Sequence, residues 1–342
     1  MKVSTTLLVI AALGFFSSAS LAGPSTDLDS YVLFATGEGL SDNTAPLTFK
    51  GGNAEGRGYV LGGNVGVNRK DGNLGNGTQM INVGANGRFV MSSGTLLVGD
   101  SIQLGPEALV YDVYTNQQAG SGWSSPNPGY GVKGTVSVFT SPLFNPMPSL
   151  FDSFATTSTV DVTVATGTTY NGGTPLAPGD YRDLQIKDGA TIYLTEGTYT
   201  FRRLNTGQNF NLFTVPGTII QVTGDSDANS LDLQFNGNGS FVGSADPNVE
   251  SVALFRYLGT DVNFSDSSTF WGVILAPNAD IGLGRAMTHY GRFISRQIHS
   301  DFNDNIYYRQ FTPGVVVPAP SAVILAALGL GLVGWIRRHV AW

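Results

Sequence analysis

The chain has 342 residues, with 18 Lys and Arg against 25 Asp and Glu, and a formal net charge of −7 at pH 7. An acidic chain without a basic cluster argues against nucleic acid as a partner. Cysteine is absent, which excludes disulfides, thiolate catalysis and cysteine metal sites. The 45 glycines and the charged fraction of only 13% are typical of a β-rich extracellular scaffold with many turns rather than of a helical enzyme.

The first 22 residues predict a secretory signal peptide. Lys2 begins a short n-region, and residues 7–16 form an apolar h-region that is too short to span a membrane. Ser20 and Ala22 supply the small residues at −3 and −1 for signal peptidase, with cleavage expected between Ala22 and Gly23.

Residues 23–115 are predicted to form the N-terminal part of a β-solenoid. Short β-prone runs separated by Gly, Asn and Asp begin at Tyr31, and the gaps between them leave room for turns but not for crossover helices. Residues 116–155 are rich in Pro, Ser and Gly and interrupt this rhythm. We interpret them as a surface excursion or as a seam between two halves of one solenoid. A linker between independent domains is the alternative.

Residues 156–312 are predicted to form the C-terminal part of the solenoid. Turn signals at Pro178-Gly179, Glu196-Gly197 and Pro216-Gly217 lie eighteen and twenty residues apart, and each precedes a β-prone run. One turn and two or three strands in about twenty residues is the unit of a coiled β-solenoid. A single coil cannot bury its inward side chains, but coils stacked about 4.8 Å apart can, and they also pair their backbone groups. The predicted fold is therefore all-β, a right-handed parallel β-helix.

One segment of the second half carries a family resemblance. The run Phe270-Trp271-Gly272-Val273-Ile274-Leu275-Ala276-Pro277-Asn278-Ala279-Asp280, followed by Gly291-Arg292-Phe293-Ile294, resembles a rung shared by bacterial surface β-helix modules of the choice-of-anchor A type. The resemblance covers roughly residues 160–311 and implies a β-helix module of a bacterial surface. From the residues alone, Pro277-Asn278 is typical of a corner between two strands.

Residues 313–342 predict a sorting tail rather than part of a domain core. Val317, Pro318, Ala319, Pro320 and Ser321 precede an unbroken apolar run at residues 322–336, and Arg337-Arg338 follow. As a helix the run would be roughly 22 Å long, short of the ~30 Å hydrocarbon core unless flanking residues or a snorkelling arginine extend it. The arginine pair fits a cytoplasmic stop. We therefore predict a single hydrophobic transmembrane helix at residues 322–336.

This tail resembles the PEP-CTERM sorting signal of exosortase substrates, with Pro318-Ala319-Pro320 in place of Pro-Glu-Pro. The resemblance covers residues 315–340. It implies that the tail holds the exported protein in the membrane until an exosortase-like protease or transpeptidase cuts near the Pro motif. The expected location is then the cell surface or the extracellular matrix, with exopolysaccharide as a partner.

Few residues carry candidate chemistry. Outside the tail the histidines are His289 and His299, which we expect to be solvent-facing strand residues on one side of a continuous strand rather than metal ligands. Asp225, Asp227 and Asn229 offer oxygens at alternate positions, as the start of a calcium loop does, but Ser230 and Asn236 occupy the positions of the Gly and Glu of an EF-hand. An irregular Ca²⁺ site or a polar turn remain the two interpretations, and no other cofactor is expected. The run at residues 301–305 has the same status.

The function expected from these patterns is a non-catalytic structural or adhesive protein. The alternative is a polysaccharide lyase or hydrolase on the same scaffold, which would use clustered carboxylates or Arg on one sheet. Candidate members of such a cluster are Asp180, Asp183, Asp188, Arg202 and Arg203. Ice or surface binding is a third hypothesis, although the Thr-rich stretches are too irregular for a regular Thr-x-Thr array.

Overall fold

The computed structural model describes residues 27–41, 44–52, 58–68, 80–90, 96–119, 122, 131–139, 142–144, 147–225, 232–236, 239–244 and 252–311. These residues form a 28-stranded sheet with parallel pairing throughout. They contain no α-helix, and the 3₁₀ segments that lie wholly within them are Leu28–Ser30 and Tyr170–Gly173. The prediction of an all-β parallel solenoid is confirmed, and its right-handed sense stays a prediction.

The strands are short, because most of them are bounded by a turn after one side of a coil. In chain order they are β1 Tyr31–Ala35, β2 Leu47–Phe49, β3 Tyr59–Leu61, β4 Asn64–Val67, β5 Ile81–Val83, β6 Arg88–Val90, β7 Leu96–Val98, β8 Ser101–Leu104, β9 Leu109–Val110, β10 Asp112–Tyr114, β11 Gln117–Ala119, β12 Gly131–Val132, β13 Val136–Ser137, β14 Val162–Val164, β15 Gly179–Asp180, β16 Asp183–Ile186, β17 Thr191–Tyr193, β18 Gly197–Phe201, β19 Arg203–Thr206, β20 Asn211–Phe213, β21 Thr218–Val222, β22 Leu233–Phe235, β23 Phe241–Gly243, β24 Ala253–Tyr257, β25 Asp261–Phe264, β26 Thr269–Leu283, β27 Thr288–Ser300 and β28 Asn305–Tyr308.

The pairings divide the solenoid into three faces. Face A contains β1, β4, β7, β10, β13, β15, β18, β21 and β24. Face B contains β2, β5, β8, β11, β14, β16, β19, β22 and β25. Face C contains β3, β6, β9, β12, β17, β20, β23 and β28. The two longest strands, β26 and β27, pass through all three faces. The register of β26 shifts between Ala276 and Asp280, which confirms the corner predicted at Pro277-Asn278.

The N-terminal half stacks on the last coil of the C-terminal half. Leu33 of β1 pairs with Phe293, Leu47 of β2 pairs with Ile298, and β3 pairs with β28. In space the coils therefore run from β14 to β28 and continue from β1 to β13. The strand at one end of the solenoid, β13, precedes the strand at the other end, β14, in the chain. The connection between them has to travel back along the outside.

The described part of this connection is a strap, formed by residues 142–144 and 147–160, which lies on face A. Its apolar side chains pack with Leu28 and Phe311 against outward residues of face A such as Val273 and Ile294. Asn68 holds the strap in place through two hydrogen bonds. Its amide oxygen accepts from the backbone N of Phe144 at 2.7 Å, and its amide nitrogen donates to the backbone O of Phe144 at 3.1 Å. Of the range predicted as an excursion, residues 116–155, the segments β11, β12 and β13 pair with the sheet, and residues 142–144 and 147–155 belong to the strap.

The core lies between the three faces and is rich in stacked aromatic rings. Phe235 stacks on Phe264 with ring centroids 4.7 Å apart, and Phe264 contacts Phe270 at 4.9 Å. His289 is fully buried in the same stack, 5.2 Å from Phe270 and 3.8 Å from Phe293. The prediction of a solvent-facing His289 was wrong, because the position belongs to the inward row of β27.

No helix within the described residues is long and apolar enough to cross a membrane. The predicted signal peptide with its cleavage site at Ala22 and Gly23 lies outside the described residues, and so does the tail from Val317 to Arg338. The sorting motif and the transmembrane segment 322–336 therefore stay predictions.

Candidate functional site

Face B carries a row of outward positions in continuous register, all with polar side chains except Gly282, which we call the face B ladder. Each of its members is the central outward residue of its strand and is partly or fully exposed, whereas the residues flanking it point into the core. Successive members are in register from coil to coil. In spatial order the ladder consists of Thr163, Gln185, Asn205, Gln234, Asn263, Gly282, His299, Thr48, Asn82 and Gln103.

The ladder is long and uncharged. At about 4.8 Å between coils, it extends over roughly 43 Å. Apart from Gly282, its members are amides, hydroxyls and one imidazole. The pKa of His299 is lowered from its ordinary value by partial burial and by the nearby charge of Lys50, so the imidazole is neutral at pH 7. The amides and hydroxyls can donate and accept hydrogen bonds along the whole row.

Charged side chains border the ladder at the corner between faces A and B, where they form ion pairs. The guanidinium of Arg202 donates to both carboxylate oxygens of Asp183, at 2.9 and 2.6 Å. Arg203 bridges Asp225 and Asp232, with an Nε–Oδ1 distance of 3.1 Å to Asp232. The hydrogen bond to Asp183 raises the pKa of Arg202. The Asp183–Arg202 pair is partly exposed and is expected to contribute about 1 kcal/mol or less to stability, whereas Asp232 in the second pair is buried.

Only part of the carboxylate and arginine set considered as an enzymatic cluster comes together. Asp183, Arg202 and Arg203 lie in the ion-pair network, whereas Asp180 is an exposed residue of β15 and Asp188 lies at the opposite corner of face B. Asp188 Oδ1 there accepts a hydrogen bond from the backbone N of Gln208 at 2.8 Å. The three carboxylates therefore do not converge on one site.

At the corner between faces B and C the carboxylates cap turns. Besides Asp188, Asp266 Oδ1 accepts from the backbone N of Arg285 at 2.7 Å. Asp301 Oδ1 accepts from Lys50 Nζ at 3.2 Å and from the backbone N of Phe302 at 2.9 Å. These bonds tie each turn to itself or to a neighbouring coil. Of the run at residues 301–305, residues 301–304 thus form a turn and Asn305 begins β28.

A shallow depression of about 310 Å³ lies beside the ladder near one end of the solenoid. Its lining combines two ladder amides with the adjacent turn, namely Gln185, Ile186, Lys187, Asp188, Asn205, Thr206 and Gly207.

The described residues contain no group of three or more His, Asp or Glu side chains that could hold a metal ion. His289 and His299 lie on one strand, as predicted, but on opposite sides of it. The corner at Arg296-Gln297 turns two successive side chains outward, and this reverses the alternation between the two histidines. Of the calcium candidates, Asp225 is bound to Arg203, while Asp227 and Asn229 lie outside the described residues.

Face C presents partly exposed aromatic rings that stack on one another from coil to coil. Tyr290 lies 4.2 Å from Trp271 and 4.8 Å from Tyr307, and Tyr193 lies 4.9 Å from Phe213. Because the rings cover each other's faces, their edges are left for contacts with a ligand. Face A is covered by the strap, so face B is the uncovered polar surface that is best suited to an extended ligand.

The architecture defined by the described residues is a parallel β-solenoid with a long row of neutral side chains on one uncovered face. The family model described as "Putative Ice-binding-like adhesive domain" matches residues 24–304, and the chain belongs to this family. The family is one of surface adhesive domains, so the chain is a surface or extracellular adhesive protein.

Two further comparisons add little to this assignment. A solved structure, the ice binding protein from an Antarctic bacterium of the Flavobacteriaceae, aligns over 80% of this chain and 82% of that chain, with 12% identity and a TM-score of 0.28. A superposition this loose transfers no residue positions. No curated protein matches the chain.

Proposed function

We propose that the protein is an exported, non-catalytic adhesive protein of the cell surface or extracellular matrix, and that face B is its adhesive surface. The observation that carries the proposal is the unbroken register of the face B ladder from Thr163 to Gln103. A row of equivalent weak donors and acceptors binds by multiplying contacts, which is how adhesion to an extended target gains strength.

The ion pairs at the edge of face B support the non-catalytic interpretation. A glycosidase needs two carboxylates about 5–10 Å apart on either side of the scissile bond, with at least one able to donate a proton. Asp183 instead receives both of its hydrogen bonds from Arg202, and Asp232 is bound to Arg203 and is 2% exposed. Carboxylates fixed in this way stabilise the corner and are not directed at a substrate.

The positions of the chain ends support presentation on a surface. Leu28, near the first described residue, and Phe311, the last one, both pack on the outside of face A. Both belong to the middle of the solenoid, because β1 and β27 are adjacent strands there. A C-terminal tail that anchors the protein would therefore hold it side-on, with face A toward the membrane and faces B and C accessible. We propose that signal peptidase and an exosortase-like enzyme process the two ends, as the sorting-tail resemblance implies.

Ice is a second candidate target, favoured by the description of the family. The regular spacing of the ladder is compatible with a crystalline surface. However, the ladder alternates short and long side chains, and Gln185, Gln234 and Gln103 have flexible stems that lose rotamer entropy when they are fixed on a rigid lattice. A flexible hydroxylated polymer is the better match to such side chains.

The test uses the mature chain, residues 23–317, displayed on carrier cells. Adhesion to matrix-covered cells of the source organism is compared for the native sequence, an Asn82→Ala/Asn263→Ala variant of face B and an Asn211→Ala/Asn305→Ala variant of face C. The two asparagine pairs are matched in residue type and lie on outward rows. We expect the face B variant to lose adhesion by about tenfold, because two of the repeated contacts are removed, and the face C variant to retain it.

Equal adhesion of the two variants would refute the assignment of the function to face B. Ice-crystal shaping is measured with the same proteins. Shaping that disappears in the face B variant, together with unchanged adhesion to cells, would replace the proposal with ice binding.

A further inference from the structure

We infer that the ligand of face B is an uncharged, extended polysaccharide whose chain runs along the solenoid axis and crosses successive coils. This inference rests on the proposed adhesive function and specifies its target.

The first argument is charge. The ladder contains no carboxylate, ammonium or guanidinium group, and several neighbouring charged side chains are engaged in pairs such as Asp183–Arg202, Asp280–Arg296 and Lys50–Asp301, whereas Lys187 beside Gln185 is exposed. After loss of both chain ends the net charge falls from −7 to −10, because Lys2, Arg337 and Arg338 are removed. An anionic polysaccharide would face a negatively charged protein along a surface where most of the neighbouring cations are paired with carboxylates and Lys187 stands out as exposed. A neutral polysaccharide has no such penalty.

The second argument is hydrogen-bonding chemistry. A sugar hydroxyl both donates and accepts, and so do the amides and hydroxyls of the ladder as a set. An array of these groups on an exposed sheet matches a polymer that presents hydroxyls at regular intervals. The side chains are held in register by the backbone pairing beneath them, so part of the ordering cost is met before binding.

The third argument is direction. Along any one strand of face B, side chains alternate between the core and the solvent, so a ligand parallel to the strand meets few outward groups before it reaches a corner. A ligand parallel to the solenoid axis meets one ladder residue per coil, at intervals of about 4.8 Å over roughly 43 Å. This direction is the only one in which the surface is repetitive.

The length dependence of binding follows from this geometry. One net hydrogen bond contributes about 0.5–1.5 kcal/mol, so contact with a single coil gives negligible affinity and many coils are needed. Affinity is therefore expected to rise with chain length until the ligand covers the ladder. Recognition confined to the depression at Gln185 and Asn205, whose volume is about 310 Å³, would instead be saturated by one or two sugar units.

The experiment measures binding of the purified mature protein by affinity electrophoresis and calorimetry. The neutral probes are β-1,4-glucan, β-1,3-glucan and galactomannan, together with a length series of neutral oligosaccharides, and the anionic probes are alginate and polygalacturonate. We expect retardation by at least one neutral polymer, with less than about a twofold change between 50 and 500 mM salt, since no ion pair is formed. The affinity should rise by about tenfold or more from the disaccharide to chains that cover the ladder.

Two variants assign the binding to the ladder. Asn82→Ala/Asn263→Ala should weaken it by about tenfold and Thr48→Lys by at least as much, while the face C variant Asn211→Ala/Asn305→Ala should bind as the native protein does. Thermal unfolding confirms that each variant is folded.

The inference is overturned by binding to anionic polymers alone with strong salt dependence, by saturation with a disaccharide, by equal loss in the face C variant, or by failure of every polysaccharide to bind. In the last case, the cell-adhesion assay described above still decides the adhesive function of face B on its own.

Discussion

Two buried titratable groups in neighbouring coils should have opposite and nearly cancelling effects on the stability of this protein as the pH falls below 7. His289 is completely buried between two phenylalanine rings, and neither of its ring nitrogens has a hydrogen-bond partner within the described residues. Burial lowers its pKa well below the usual range. Asp304 is also fully buried and accepts hydrogen bonds from the backbone N of Met287 at 2.9 Å and from Ser300 Oγ at 2.7 Å. Burial raises its pKa to about 7.

The two groups act in opposite directions. The folded state cannot easily protonate His289, so its contribution is complete above the ordinary histidine pKa of about 6.5 and is lost as the pH falls below it. The folded state binds the proton of Asp304 more tightly than the unfolded chain does, so this contribution is complete at low pH and is lost as the pH rises through about 7. Between pH 6.5 and 5.5 each effect changes the free energy of unfolding by about 1 kcal/mol, with opposite sign.

Substitution separates the two effects. His289→Phe removes the group whose protonation in the unfolded chain costs stability. When the pH is lowered from 6.5 to 5.5, the free energy of unfolding of this variant should therefore rise by about 1 kcal/mol relative to that of the native protein. In Asp304→Asn, which keeps the shape of a protonated carboxyl, stability should instead fall by about that amount on the same acidification. Urea unfolding at the two pH values gives both numbers. If His289→Phe shows the pH dependence of the native protein, the imidazole is not buried as described and the reasoning fails.

Three further predictions concern the coils, the strap and the tail. Gly291→Ala should prevent folding, because the φ of Gly291 is +151° and a Cβ would lie 1.8 Å from the backbone O of Gly272. The control Gly282→Ala should fold, because its Cβ would meet only the side-chain amide oxygen of Asn263, at 2.8 Å. Circular dichroism of the two variants makes the comparison. Asn68→Ala should lower the free energy of unfolding by about 1–3 kcal/mol and expose the strap to protease. Deletion of residues 318–342 should leave the body folded and release it from the membrane fraction, and an unfolded product would contradict the sorting-tail interpretation.

The period of the coils could be predicted from the sequence, but the register could not. The turn signals at Gly179 and Gly197 are eighteen residues apart, yet Asp180 pairs with Thr200, twenty residues on. The reason is packing: Tyr181 stacks on Phe201 at 5.6 Å, and the similar residue Tyr199 instead donates its hydroxyl to the backbone O of Leu176 at 2.8 Å. Similar motifs in adjacent coils are thus two residues out of alignment, because the packing of these side chains sets the register and a local sequence pattern does not reveal which ring will stack.

The face B ladder could not have been found from the sequence alone. Its spacing is twenty residues from Gln185 to Asn205, twenty-nine from there to Gln234, and nineteen or fewer near the end of the C-terminal half. Insertions at the corners change the interval without changing the register of the strands. Amides on surface strands are also common, and only their alignment distinguishes these from solvated polar residues. The corner ion pairs were partly predictable, because Asp183, Arg202 and Arg203 lie one coil apart.

The continuity of the ladder depends on the way the two halves of the chain meet. His299 belongs to the last coil of the C-terminal half and Thr48 to the first coil of the N-terminal half, and these two positions are adjacent in the sheet. If the halves separated, the ladder would break between these residues and leave only Thr48, Asn82 and Gln103 on the N-terminal part. Because affinity from a row of weak contacts depends on the number made at once, neither fragment should adhere as the whole does. The junction between β2 and β27 is therefore required for the adhesive surface as well as for the fold.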